Sequence, residues 1–279
     1  MKKNRYLEYL IEGKLFRFSR LNITGIDNEP AVKIFSQSVL EQEICLFANT
    51  VSQGDDYCRI LHEKIFNAMQ DHLPLAAVRF ADGEYAFYNY TLGCNGLYKQ
   101  AESVAAIKSA MPQHISAMKY LEASGLLAPL VFPGNSHVSS SSMFSFLQKK
   151  RDSSGADFLN FLQAHDISLT SQNYIPFYVI YAYLSSAQFA SLPLLTFVDI
   201  PAEYVATRWE ENKKEILNKI PPDTALCLAG AGVGALLICT DVARSFSIPA
   251  IDAGHVLNMM NGRVDKSNGA RLYTMRKVQ

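Results

Sequence analysis

Two carboxylates stand two residues apart in Arg79-Phe80-Ala81-Asp82-Gly83-Glu84, just past a short apolar run. Hard divalent cations such as Mg²⁺ or Mn²⁺ take oxygen ligands, and Mg²⁺ commonly accepts one or two carboxylates together with phosphate and water. Asp82 and Glu84 are therefore candidate metal ligands. Gly83 lets the backbone bend between them without a Cβ clash. Arg79 adds a planar cationic fork suited to phosphate or to orienting a carboxylate. A plainer role is also open: Asp82 as a helix N-cap, with Glu84 complementing the dipole of the first turn.

Three further clusters could carry chemistry. In Leu228-Ala229-Gly230-Ala231-Gly232-Val233-Gly234-Ala235, bare backbone N–H groups lie between an apolar run and a helical pattern. That arrangement favours phosphate, with Gly230, Gly232 and Gly234 as candidate nucleotide contacts. It also fits the first loop of an S-adenosylmethionine-dependent methyltransferase, with Asp252 as the ribose acid. So few residues follow Gly234 that such an enzyme would have to be circularly permuted. Ile251-Asp252-Ala253-Gly254-His255 places an acid and an imidazole past another apolar run, and the alternative for His255 is a satisfied structural histidine. Pro133-Gly134-Asn135-Ser136-His137, followed by serines, could hold an acceptor or simply cap a helix.

The elements that must position these residues alternate. Short apolar runs bounded by turn residues occur at Leu75–Phe80, Leu126–Phe132, Leu194–Val198, Thr224–Ala229 and Ile248–Ile251, and read as buried strands. Helical spacing fills roughly 101–122, 140–150, 204–218 and 234–245. The expected fold is α/β: a Rossmann-like, mostly parallel sheet with helices on both faces. Ligands in such sheets bind at the carboxyl ends of the strands, where every cluster above falls. Residues 6–18 carry Leu7, Leu10, Ile11, Leu15 and Phe18 near helical spacing, and 30–70 read as further helix broken by a loop at Ser52–Asp56. Tyr174–Tyr183 reads as a buried helix.

Composition narrows the partners. Lys+Arg and Asp+Glu are both 26, so the basic excess expected of a nucleic-acid binder is missing. Hydrophobic residues at 49% against 19% charged are enough for a buried core. The five cysteines form no C-x-x-C pair, which points to buried thiols in a reducing compartment. No apolar run reaches the roughly 18 to 20 residues of a membrane span. The N-terminus, interrupted by Glu8 and Glu12, makes a poor signal peptide. A cytoplasmic location is expected, with at most peripheral contact at an inner membrane face.

Arg79-Phe80-Ala81-Asp82-Gly83-Glu84 resembles the R-F-G-D-G-E signature of the GT-D-type glycosyltransferases, a family first catalogued as a domain of unknown function. The late strand–glycine loop–helix–strand stretch ending in Asp252-Ala253-Gly254-His255 is similar to the family's D-x-G-H ending. Both motifs occur in the family's order, and the resemblance covers roughly residues 70–260. Ala81 replaces the first motif glycine. Gly230–Gly234 replaces the usual G-P-T-A, and about 135–210 shows no match.

The resemblance implies a metal-dependent transfer from a nucleoside-diphosphate sugar to a glycan, glycoprotein or lipid-linked acceptor, with Mn²⁺ or Mg²⁺ held by Asp82 and Glu84. Arg79, Gly230, Gly232 and Gly234 would then face the donor. Asp252, His255 and Asp199 are the candidates for a base if configuration inverts. A non-catalytic nucleotide- or sugar-binding module is the alternative from another class. The expected organisation is a helical segment over 1–70, the α/β domain over 71–262 and a basic tail over 263–279, the tail being either a ligand contact or a solvated terminus.

Overall fold

The computed structural model describes residues 7–11, 14–18, 51–92, 99–129, 160–169, 173, 175, 180, 183–184 and 196–254. The 140–150 helix, Pro133–His137, most of Tyr174–Tyr183 and the basic tail lie outside them. The α/β expectation holds. Four parallel strands, β3 (Leu75–Phe80), β4 (Gly125–Pro129), β5 (Cys227–Ala229) and β6 (Pro249–Asp252), form one sheet in the order β4-β3-β6-β5.

The register sets Ala76 beside both Gly125 and Ala250, and Leu228 beside Ile251. Helix α3 (Val104–Ser124) links β3 to β4, and α5 (Ala235–Phe246) links β5 to β6. Both crossovers step the same way across the sheet. Right-handed connections therefore place both helices on one face, and α3 packs against α5. Between them and the sheet lies the main core, with Ala76, Val78, Phe80, Leu127 and Ala250 from the strands. Ile107, Met118 and Leu121 of α3, Val242 of α5 and Trp209 of α4 (Val205–Asn218) complete it.

The intervening strand positions, Ala77, Leu126, Ala128 and Ile251, are buried as well. A parallel sheet covered on both faces has this pattern, with near-continuous apolar strands. Helix α1 (Val51–Gln70) lies against β6 and buries Leu61, Ile65 and Ala68 at helical spacing.

Three expectations are corrected. Residues 7–11 and 14–18 form two antiparallel strands, β1 (Leu7–Ile11) and β2 (Lys14–Phe18), and not a helix. The register pairs Ile11 with Lys14, Tyr9 with Phe16 and Leu7 with Phe18. Aromatic residues at period two outweighed a helical spacing that five positions satisfied by chance.

Ser52–Asp56 belongs to α1 and is not a loop. One internal glycine costs a helix only about 1 kcal/mol, which the buried stripe of α1 outweighs. The third apolar run also differs, because residues 196–200 carry no strand. There Val198 and Ile200 pack on the core while Phe197 is 73% exposed, so an in–out alternation arises without a ladder.

The junction between α3 and β4 has no connecting loop. A Cβ at Gly125 would overlap Leu121, so glycine is required by the close approach. Asn173 closes the helix end, its buried amide donating to the carbonyls of Leu121 (2.8 Å), Glu122 (3.2 Å) and Gly125 (3.1 Å). The Glu122 carbonyl is one that a helix C-terminus leaves without an intrahelical partner, while the Leu121 carbonyl also accepts from the Gly125 N–H.

Candidate active site

The carboxyl ends of β3, β5 and β6 bring three distant stretches to one edge of the sheet. Phe80 ends β3, Ala81 takes an extended conformation, and α2 (Asp82–Tyr88) begins at once. The cap is Ala81, which has no side-chain acceptor. Glu84 makes the reciprocal half of a capping box, its Oε2 accepting from the Ala81 N–H at 2.8 Å. The plainer role considered for this motif is therefore present in Glu84, while Asp82 stands at the first helical position rather than at the cap. The Asp82 side chain lies outside the described residues.

Arg79 reaches across to β6. Its Nη2 donates to Asp252 Oδ1 at 2.9 Å, its Nε to the Asp252 carbonyl at 3.2 Å, and its backbone N–H to Oδ2 at 3.3 Å. Asp252 is 2% exposed, so this is a buried, multiply bonded ion pair. Gly254 makes room for it. Its φ is +47°, in the left-handed region, and any Cβ there would collide with the guanidinium. Glycine is thus required at Gly254 for two reasons, and one of them is Arg79.

The glycine stretch runs from β5 through a tight turn at Gly232–Gly234 into α5. Its three candidates separate by role. Gly230 and Gly232 are exposed. Gly234 is buried, and a Cβ there would stand 2.7 Å from Val205 Cγ1, so its bareness serves the packing of α4 against the loop. Gly232 has φ +54° and lies under the carboxamide of Gln100, whose Oε1 accepts from the Val233 N–H at 3.1 Å. The loop also touches α2, where a Cβ on Gly83 would meet Val233 Cγ2 at 3.8 Å. The Ala229 carbonyl accepts from the N–H groups of Ala253 (2.8 Å) and Gly254 (3.2 Å), binding β5 to the end of β6.

Charge in this corner is one-sided. Burial, with the nearby Asp252 carboxylate as a second cause, pushes the Glu84 carboxyl up to about 7 against the opposing pull of the Ala81 N–H and Arg79. Glu84 and Asp252 thus repel each other, balanced in part by Arg79, whose bonds engage both Asp252 oxygens. If a divalent cation binds at this corner, Glu84 and Asp82 are the candidate ligands for Mn²⁺ or Mg²⁺, since both Asp252 oxygens are engaged by Arg79. Among the described residues no group of three or more metal-ligating side chains occurs.

Beneath the site, Tyr88 donates to His114 Nδ1 at 2.9 Å, and His114 Nε2 donates to the Ala206 carbonyl at 2.8 Å. Burial lowers the His114 pKa to about 4, so the imidazole is neutral at pH 7. Burial, with the Glu84 charge as a smaller cause, raises the Tyr88 phenol well above its ordinary value.

Of the residues singled out in the sequence, the fold brings together Arg79, Glu84, Gly230, Gly232 and Asp252. Asp199 lies on the exposed side of the strandless 196–200 segment, and His255 lies outside the described residues. Sequence reasoning missed Gln100, Tyr88 and His114. Only Tyr88 carried a local signal, one helical turn beyond Glu84.

No helix among the described residues is long and apolar enough to cross a membrane. Comparison with known proteins found no matching family model, no matching curated protein and no matching solved structure.

Proposed function

We propose that the chain is a metal-dependent glycosyltransferase that moves a sugar from a nucleoside diphosphate to a glycan or glycoconjugate acceptor. The observation that carries the reading is the meeting of Arg79, Glu84 and Asp252 with the exposed Gly230–Gly232 backbone at the carboxyl edge of a parallel sheet. A bound cation would neutralise charge developing on the departing diphosphate.

The protein's own groups divide the remaining work. Arg79 holds Asp252 in a fixed orientation, and Glu84 is fixed by its bond from Ala81. Gly230 and Gly232 are exposed just before α5, a place that suits phosphate oxygens. In the reaction the anomeric C–O bond to the diphosphate breaks and a bond to the acceptor oxygen forms, while the acceptor's proton passes to a base. Asp252 has both carboxylate oxygens engaged by Arg79, which suits a ligand-orienting role better than proton removal. His255 and Asp199 remain the candidates for the base.

The same ion pair weighs against the methyltransferase alternative, since a ribose-binding acid needs its oxygens presented to the ligand. The unfavourable nearness of Glu84 to Asp252 weighs against a binding module that uses no cation. The test is a thermal-shift screen of nucleoside-diphosphate sugars with MnCl₂ and with chelator, followed by donor hydrolysis for each binder. Stabilisation only in the presence of metal supports the proposal. Equal stabilisation with and without metal, or by S-adenosylmethionine alone, overturns it.

A further inference from the structure

The hydrogen-bond chain beneath the site reaches both of its halves. Helix α2 has seven residues and carries Glu84, with Tyr88 one turn later on the same side. The Tyr88 hydroxyl meets His114 on α3, and His114 meets the Ala206 carbonyl in the first turn of α4. A carbonyl can only accept, so Nε2 carries the proton and Nδ1 must accept from the phenol. The tautomer is therefore fixed by the network. Ala206 adjoins Val205, the residue packed on Gly234 at the base of the glycine loop. One buried imidazole thus connects the helix bearing Glu84 to the helix end that supports the loop.

Apolar contacts alone could hold these helices together. Phe87 lies 4.8 Å from the His114 ring, and Phe161 lies 4.9 Å from Tyr88. Buried polar groups add little cohesion over apolar ones, but they fix relative position, because any other arrangement leaves them unpaired.

We propose that Tyr88 and His114 are positioning residues that set the distance between Glu84 and the glycine loop, and so couple metal binding to nucleotide binding. This rests on the metal-dependent reading given above. The two sites would otherwise bind independently, joined only through a shared ligand whose reach must match their spacing.

The test is calorimetric titration with whichever of UDP, GDP and ADP binds the parent most tightly, with and without MnCl₂. The ratio of the two affinities measures the coupling. In Tyr88→Phe, which keeps the ring, metal-free affinity should stay within about twofold while the Mn²⁺ enhancement falls at least tenfold. His114→Leu should behave the same way. His114→Gln, whose amide can accept from Tyr88 and donate to Ala206, should restore most of the enhancement.

A merely structural role would lower the melting temperature of Tyr88→Phe and leave the enhancement at the parent value, which overturns the proposal. Equal losses with and without metal overturn it too. A parent without any Mn²⁺ enhancement removes the metal-dependent reading itself, and this inference with it. Should His114→Leu fail to fold, Tyr88→Phe still decides the matter.

Discussion

Arg79 and Asp252, 173 positions apart in the chain, share three hydrogen bonds between the ends of adjacent strands, and Gly254 is bare because the Arg79 guanidinium lies against it. The early and late motifs of the sequence are thus two halves of one bonded unit. Neither half is intelligible alone. The arginine needs a carboxylate, and the aspartate, 2% exposed, needs a cation.

Breaking that pair from one side should be severe. Arg79→Met should cost about 3 to 5 kcal/mol in urea denaturation, since it strands a buried carboxylate. The double variant Arg79→Met/Asp252→Leu should be more stable than the sum of the two single losses implies. Strict additivity in that cycle would show that the two side chains do not interact.

Gly254→Ala and Gly232→Ala should each destabilise by about 1 to 2 kcal/mol, because both residues have positive φ. At Gly232 part of the cost comes from contact with the Gln100 carboxamide. Gln100→Ala should therefore relieve some of the loss in Gly232→Ala, and equal thermal unfolding of the single and double variants would remove Gln100 from that account. Gly232→Val should weaken nucleoside-diphosphate binding and, unlike a purely functional change, also lower stability.

Asp82→Asn should abolish most sugar transfer or donor hydrolysis while apo stability holds, because the helix cap is Ala81 and not Asp82. Glu84→Gln should also lose activity, yet its amide oxygen can still accept from Ala81. Apo Glu84→Gln should melt higher than the parent at pH 8, where Glu84 is charged beside Asp252, and the difference should shrink at pH 5. Full activity in Asp82→Asn would return that residue to an ordinary helix terminus.

Two groups, the buried His114 and the partly buried Glu84, should give stability opposing dependences on pH. His114, lowered from 6.5 to about 4, leaves the unfolded chain with the extra proton in that interval, so acidification through it destabilises. Glu84, raised from 4.5 to about 7, keeps a proton that the unfolded chain has lost, so stability declines as pH rises across that interval. Each slope is at most about 1.4 kcal/mol per pH unit, and they offset each other over the shared range. His114→Gln should expose the falling Glu84 slope, and Glu84→Gln the rising His114 slope. Unchanged pH profiles in chemical denaturation of both variants would contradict these assignments.

The sequence by itself determined the alternation of apolar runs with helical patterns, and hence the parallel sheet and the edge where Arg79, Glu84 and Asp252 meet. Leu75–Phe80 and Ala235–Phe246 were legible because burial imposes a period that local composition records. The paired strands at 7–11 and 14–18 were not, since five apolar positions matched a helix by chance and only strand pairing distinguished the two. Asp82, Glu84, Gly230 and Asp252 stood out through short-range patterns of charge and glycine. Tertiary structure alone decided that Arg79 binds Asp252, that Gly234 serves packing while Gly232 accommodates Gln100, and that His114 underlies the site. The physical reason is the same in each case: a hydrogen bond or a close approach between distant segments depends on where the fold delivers both partners, and His114 on its helix carries no mark of Tyr88 or Ala206.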